Sequence, residues 1–116
     1  MVYIAGYFNT DKLQAISAGY NDMMTYVRKQ TNSPSTTSGW FLPSIGQLIY
    51  IKKKYAEIIS KSFDKCGGAM GRGWQHHYWS STEATAANSY NINWDSGTYS
   101  QKNKSSGSMV RTALAF

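Results

Sequence analysis

Residues 40–50 read Trp-Phe-Leu-Pro-Ser-Ile-Gly-Gln-Leu-Ile-Tyr, and this stretch divides the chain. Pro43 has no amide hydrogen to give to a ladder, so the apolar run before it cannot continue as a central strand. Ser44 follows, with Gln47 three residues later. That spacing is the pattern of a reciprocal helix cap, in which each side chain takes an otherwise orphaned amide of the first turn. Ile45, Leu48, Ile49, Tyr55, Ile58, Ile59 and Phe63 then recur at helical spacing and trace one apolar face. Gly67-Gly68 supplies the left-handed stop. The expectation is a helix from Ser44 to Cys66, with Cys66 a small buried or half-buried side chain.

Upstream, Val2-Tyr-Ile4 is a β-branched and aromatic run closed by Gly6, and predicts a short strand. Asn9 or Thr10 caps a first helix, with Asp11 in its first turn, where the helix dipole favours an acid. Leu13, Ile16, Tyr20, Met23 and Val27 form its buried stripe, interrupted by Gly19. Residues 32–39, Asn-Ser-Pro-Ser-Thr-Thr-Ser-Gly, are a loop.

Downstream the period changes to two. Tyr78–Thr82 predicts a strand, and Ser89–Trp94 alternates with Tyr90, Ile92 and Trp94 on one face and Asn91 and Asn93 on the other. Asp95-Ser-Gly97 is a hairpin turn with Thr98–Gln101 as its return strand. Met109–Phe116 is apolar enough to be a last strand inside a sheet, able to pair with the N-terminal one. Strand, two helices and a meander predict an α+β domain, and 116 residues make one domain rather than two.

Composition narrows the function classes. Hydrophobic residues at 41% exclude a disordered tail, and no stretch nears the ~20 apolar residues of a membrane span. Residues 1–6 lack the basic start and apolar run of a signal peptide. A single cysteine leaves no internal disulfide and no Cys-paired metal site. The net charge of +6 invites a nucleic-acid reading. Lys52, Lys53, Lys54, Lys61 and Lys65 all fall on the capped helix, however, where a charge run is ordinarily a solvated face. No nucleic-acid partner is therefore expected.

An ordered set of motifs runs along the chain: Asn9-Thr10, then Gly39-Trp-Phe-Leu-Pro-Ser44 with Leu48, then Tyr78-Trp-Ser-Ser-Thr-Glu83. Asn93-Trp-Asp-Ser-Gly97, Val110-Arg111 and Ala115-Phe116 complete it. The set resembles the C-type-lectin-like domains of the formylglycine-generating-enzyme-like branch, and within it the variable proteins of bacterial and phage diversity-generating retroelements. The resemblance implies a C-type-lectin-like fold with paired terminal strands over residues 1–116. It also implies a ligand-binding region at about 74–108 that adenine-directed mutagenesis rewrites. Between Ala84 and Ser108 the chain is mostly Ala, Ser, Thr, Asn, Tyr, Asp and Gly. All are reachable from an Asn codon by changing adenines, although such residues also dominate ordinary loops.

The expected contact residues are Gln75, His76, His77, Asn88, Tyr90, Asn91, Asn93, Asp95, Ser96, Tyr99, Gln101 and Asn103. Tyrosine offers rigid amphipathic area, and Asn and Ser offer adaptable hydrogen bonds. Tyr90 alternates with Ile92 and Trp94, which argues for core instead. The implied partner is a protein or glycan on a cell or phage-host surface, with the domain on a cell surface or a phage particle. An invariant adhesin or glycan-binding module of the same fold is the alternative.

No catalytic residue, metal or cofactor is expected. His76 and His77 are adjacent and would point to opposite faces of a strand. Glu83 and Asp95 have no visible geometry for paired-carboxylate chemistry, and Glu83 is expected to accept hydrogen bonds from loop backbone. Arg111 in an apolar strand is expected to be paired structurally. The one cysteine cannot supply the cysteine pair of formylglycine-generating enzymes. The Trp-Asn-Asp order and the Glu-Pro-Asn-type partner of calcium-dependent lectins are missing.

Overall fold

A computed structural model describes residues 6, 9, 27, 29–30, 32–67 and 76–115. Among the described residues it shows an α+β arrangement in which the helix α1 (Ile45–Lys65) lies with a three-stranded antiparallel sheet. The strands are β1 (His77–Glu83), β2 (Asn88–Asn93) and β3 (Tyr99–Asn103), in the order β1-β2-β3.

α1 begins where the Ser44 pattern placed it. Ser44 Oγ accepts from Gln47 N at 3.2 Å, and Gln47 Oε1 accepts from Ser44 N at 2.9 Å, so both halves of the cap are formed. The helix closes at Cys66, with Gly67 in the left-handed region at φ 71°. Cys66 itself is exposed, not half-buried as expected, because it stands beyond the last turn that meets the sheet.

The core lies between α1 and one face of the sheet. Leu48, Tyr78, Ile92 and Trp94 are buried together, with Ile45, Ile49, Ile51, Ala56, Ile59 and Met109 packed around them. Tyr78 and Trp94 meet edge-to-face with ring centroids 6.0 Å apart. The apolar stripe of α1 is broader than the surface that covers it. Tyr55 is 45% exposed and Ile58 63%, so the sheet takes only one side of the expected face.

β1 is flanked on both sides. β2 pairs along one edge, with Tyr78 opposite Ile92 and Trp79 opposite Asn91, before a bulge between Trp79 and Glu83. On the other edge Trp79 N donates to Met109 O and Met109 N to His77 O, and Ser81 N donates to Pro43 O.

The final run corrects the expectation of a last strand. Met109 bridges Tyr78 in parallel and Ala113 bridges Phe41 in antiparallel sense, each as an isolated contact. Two different neighbours four residues apart prevent a continuous ladder. Residues 38–41 are what the C-terminal segment meets: Phe41 and Ala113 exchange both backbone hydrogen bonds, and Ser38 N donates to Ala115 O. The expected N-terminal strand, its pairing and most of the first helix lie outside the described residues. Gly6 and Asn9 are themselves helical. The chain is therefore already helical at Gly6, where a strand was expected to close, and Asn9 stands within a helix rather than capping one. Val27 is helical and buried at 2% exposure, as its place in the stripe requires.

Candidate functional site

The β2–β3 hairpin carries most of the expected contact residues, and its register separates them by face. Asn88 pairs with Asn103, Ser89 with Lys102, Tyr90 with Gln101, Asn91 with Ser100 and Ile92 with Tyr99. Side chains alternate along a strand, so Asn88, Tyr90, Tyr99, Gln101 and Asn103 share the face of Ile92, toward α1. His77, Asn91 and Asn93 share the opposite face with Trp79, Ser100 and Lys102. Asp95 and Ser96 sit in the turn between the strands, and Gln75 lies outside the described residues. The twelve residues therefore do not form one surface.

The face away from α1 is not the open one. Asn91, expected outward, is 1% exposed. Ser100 Oγ donates to its Oδ1 at 2.9 Å, while its Nδ2 is buried without a hydrogen-bond partner among the described residues. On the same face Lys102 Nζ stands 6.0 Å over the Trp79 ring and donates to Gly107 O and to Ser108 Oγ. That contact draws the segment after β3 across this side of the sheet. Trp79 is 7% exposed although it faces away from the main core.

The turn is built by local bonds. Asn93 Oδ1 accepts from Asp95 N at 2.9 Å and from Ser96 N at 3.3 Å, so Asn93 shapes the backbone. Gly97 N donates to Asn93 O at 2.8 Å with Gly97 at φ 74°, a conformation that favours glycine. The far end is tied back to β1: Trp94 N donates to His76 O at 2.8 Å, and His76 Nδ1 lies against Asp95 Oδ1. Lys52 of α1 stands 5.5 Å over the Trp94 ring beneath the turn.

Other side chains take structural partners. Glu83 receives the Lys104 ammonium. The Arg111 guanidinium lies 4.8 Å over the Phe63 ring of α1. On α1, the Tyr55 phenol is held above its ordinary pKa, first by its hydrogen bond with Tyr50 and then by the neighbouring Tyr50 charge.

What stands clear is β3. Tyr99 is 59% exposed, and Ser100, Gln101 and Asn103 are exposed with it. Tyr90, half-buried, meets Tyr99 edge-to-face with centroids 6.1 Å apart, so the two rings make a shelf on the α1 side of the hairpin. Sequence reasoning missed Trp79, Ser100 and Lys102 as neighbours of Asn91. Alternation alone puts Ser100 and Lys102 on one face, and only the strand register brings Trp79 and Asn91 beside them.

Among the described residues no group of three or more His, Cys, Asp or Glu side chains gathers in a metal-binding arrangement, and no helix is long and apolar enough to cross a membrane. Compared with protein-family models, curated proteins and solved structures, the chain matches none.

Proposed function

We propose that this chain is a recognition module that binds a protein or glycan ligand through its β2–β3 hairpin. The scaffold is C-type-lectin-like, and the hairpin is the part that retroelement-type diversification would rewrite. One observation carries the reading. The side chains that shape the hairpin, Asn91, Asn93 and Ser100, are bonded to one another or to the turn backbone. Tyr99 and Gln101 stand exposed on a strand whose register is already fixed. Exposed aromatic and amide groups on a rigid element suit recognition, since little conformational freedom is lost on contact.

The test is a library randomised at Ser96, Tyr99 and Gln101, sorted first for folding and then for capture on bacterial cells and on immobilised glycans. Most members fold and capture changes with the side chains installed. A library that largely misfolds, or capture indifferent to all three positions, overturns the proposal. The diversification is tested in the genome. A near-identical copy of the segment encoding residues 84–108 should lie beside a reverse transcriptase and differ only at template adenines. Without such a copy the module is an invariant adhesin or glycan binder.

A further inference from the structure

The ladder bonds of β3 fix which of its backbone groups are used. Asn93 N donates to Thr98 O and Lys104 N to Ala87 O, at the two ends of a regular antiparallel register. In such a pair, alternate residues point their amide and carbonyl at the partner strand and the others point them away. Residues 98, 100, 102 and 104 therefore face β2. Tyr99, Gln101 and Asn103 face outward at an edge with no neighbouring strand among the described residues. Asn103 O accepts from Ser106 N, which leaves the outward amide of Asn103 and both outward groups of Tyr99 and Gln101 free of backbone partners.

Natural sheets blunt such an edge with proline, bulges or a lysine held at the rim. β3 has neither of the first two. Its one lysine, Lys102, is turned over the sheet onto Trp79, Gly107 and Ser108. Both of its hydrogen-bond acceptors are neutral, so among the described residues its charge has no carboxylate against it, whereas Lys104 is matched by Glu83. The two sides of the edge thus differ in chemistry. The α1 side offers the exposed Tyr99 ring, and the other side carries Lys102, whose ammonium rests on neutral acceptors across the sheet.

We infer that the free edge of β3 docks an extended, acidic segment of a partner protein as a fourth strand. This deepens the recognition reading and rests on it. Backbone hydrogen bonds to Tyr99, Gln101 and Asn103 supply the register. Alternate side chains of the guest meet the exposed Tyr99 ring on the α1 side, where an apolar residue fits, and a carboxylate on the other side draws the Lys102 ammonium back from Gly107 and Ser108 to the edge. A second copy of this chain is a poorer guest, because each copy brings a net +6 and another Lys102.

The probe is a blocked peptide of alternating Glu and Val, titrated by fluorescence anisotropy, with an alternating Lys and Val peptide as control. The acidic peptide binds, the basic one does not, and added salt weakens binding. Gln101→Pro deletes an outward amide without touching the β2 ladder and should weaken binding roughly tenfold or more. Gln101→Ala keeps the backbone and should change affinity less than about twofold. If the proline variant misfolds by circular dichroism, amide exchange on the unaltered protein decides. Protection on adding peptide appears at Tyr99, Gln101 and Asn103, and protection elsewhere or none overturns the inference. Equal binding of both peptides overturns it, as does a concentration-dependent dimer that Gln101→Pro dissolves. If the acidic peptide fails while cell or glycan capture still follows the side chains at positions 96, 99 and 101, only the strand docking is wrong. If both fail, the recognition reading falls with it.

Discussion

Two regions of this chain are dense in polar contacts, the junction around Leu42–Leu48 and the β2–β3 hairpin, and they differ in how far those contacts reach. At the junction, Gln47 Oε1 accepts from Ser44 N and also from Gly6 N at 3.0 Å, a residue 41 positions earlier. Ile45 N donates to Thr82 Oγ1, 37 positions later, and Pro43 O accepts from Ser81 N. Leu42 is fully buried there, and Phe41, Ser44, Gln47 and Leu48 nearly so. In the hairpin the turn bonds join residues two to four apart, and the outer strand is exposed. Change at the junction therefore breaks contacts between distant parts of the chain at once. Change at the exposed hairpin positions stays local, which is what a recognition surface needs from its scaffold.

The largest expected effect tests whether the hairpin's covered face belongs with the rigid part. Trp79 is buried on that face under Lys102. Trp79→Ala should lower unfolding free energy by about 3–5 kcal/mol in chemical denaturation. A loss near 1 kcal/mol would mean that the segment crossing this face packs loosely and that both sides of the sheet are open to a ligand.

The junction comes next. Gln47→Ala removes the acceptor of two buried amides and should cost about 2–4 kcal/mol, since each buried donor left alone costs roughly 1–3 kcal/mol. Ser44→Ala loses the hydroxyl half of the cap and should cost about 1 kcal/mol. The ranking is the informative outcome. Equal losses would mean that the bond to Gly6 contributes nothing beyond the local cap.

That ranking also marks what could be read without the structure. Ser44 and Gln47 were legible because a cap spans only four residues and its chemistry is local. The bond to Gly6 was not, nor the place of Gly6 itself. A Cβ there would stand 2.2 Å from Gln47 Oε1 and 2.8 Å from Ser44 N, a constraint set by a fold contact that no local pattern announces. In the hairpin, alternation correctly separated Ile92 from Asn91. It could not say that Asn91 would be buried or that Lys102 would reach residues 107–108 on the same face, because alternation assigns a face and not what meets it. The same reason undid the last strand: Met109–Phe116 has the composition of a ladder, but its bridges go to two different neighbours. Tyr55 and Ile58 carry the helical period yet stay exposed because period describes a face, not what covers it.

Within the hairpin a smaller effect separates the shaping residue from the display residues. Asn93→Ala removes the acceptor of the Asp95 and Ser96 amides in an exposed turn and should cost about 1 kcal/mol. Thermal denaturation reads this, and an unchanged midpoint would move Asn93 into the freely variable set.

The smallest expected effect is the one the recognition reading most depends on. Among the described residues Gln101 is exposed with no hydrogen-bond partner for its side chain, and the Ser96 hydroxyl meets only Thr98 in an exposed turn. Surface substitutions of this kind usually change stability by no more than about 0.5 kcal/mol. Ser96→Ala and Gln101→Ala should therefore each fall within that bound, and the double variant should show their simple sum, since neither touches the other's partners. Denaturant midpoints of both single variants and the double variant give the comparison directly. A double variant that loses 2 kcal/mol or more would show the turn and β3 acting as one cooperative unit. The contrast with the junction would then vanish, and a hairpin so coupled could not tolerate the sequence change that a diversified surface requires.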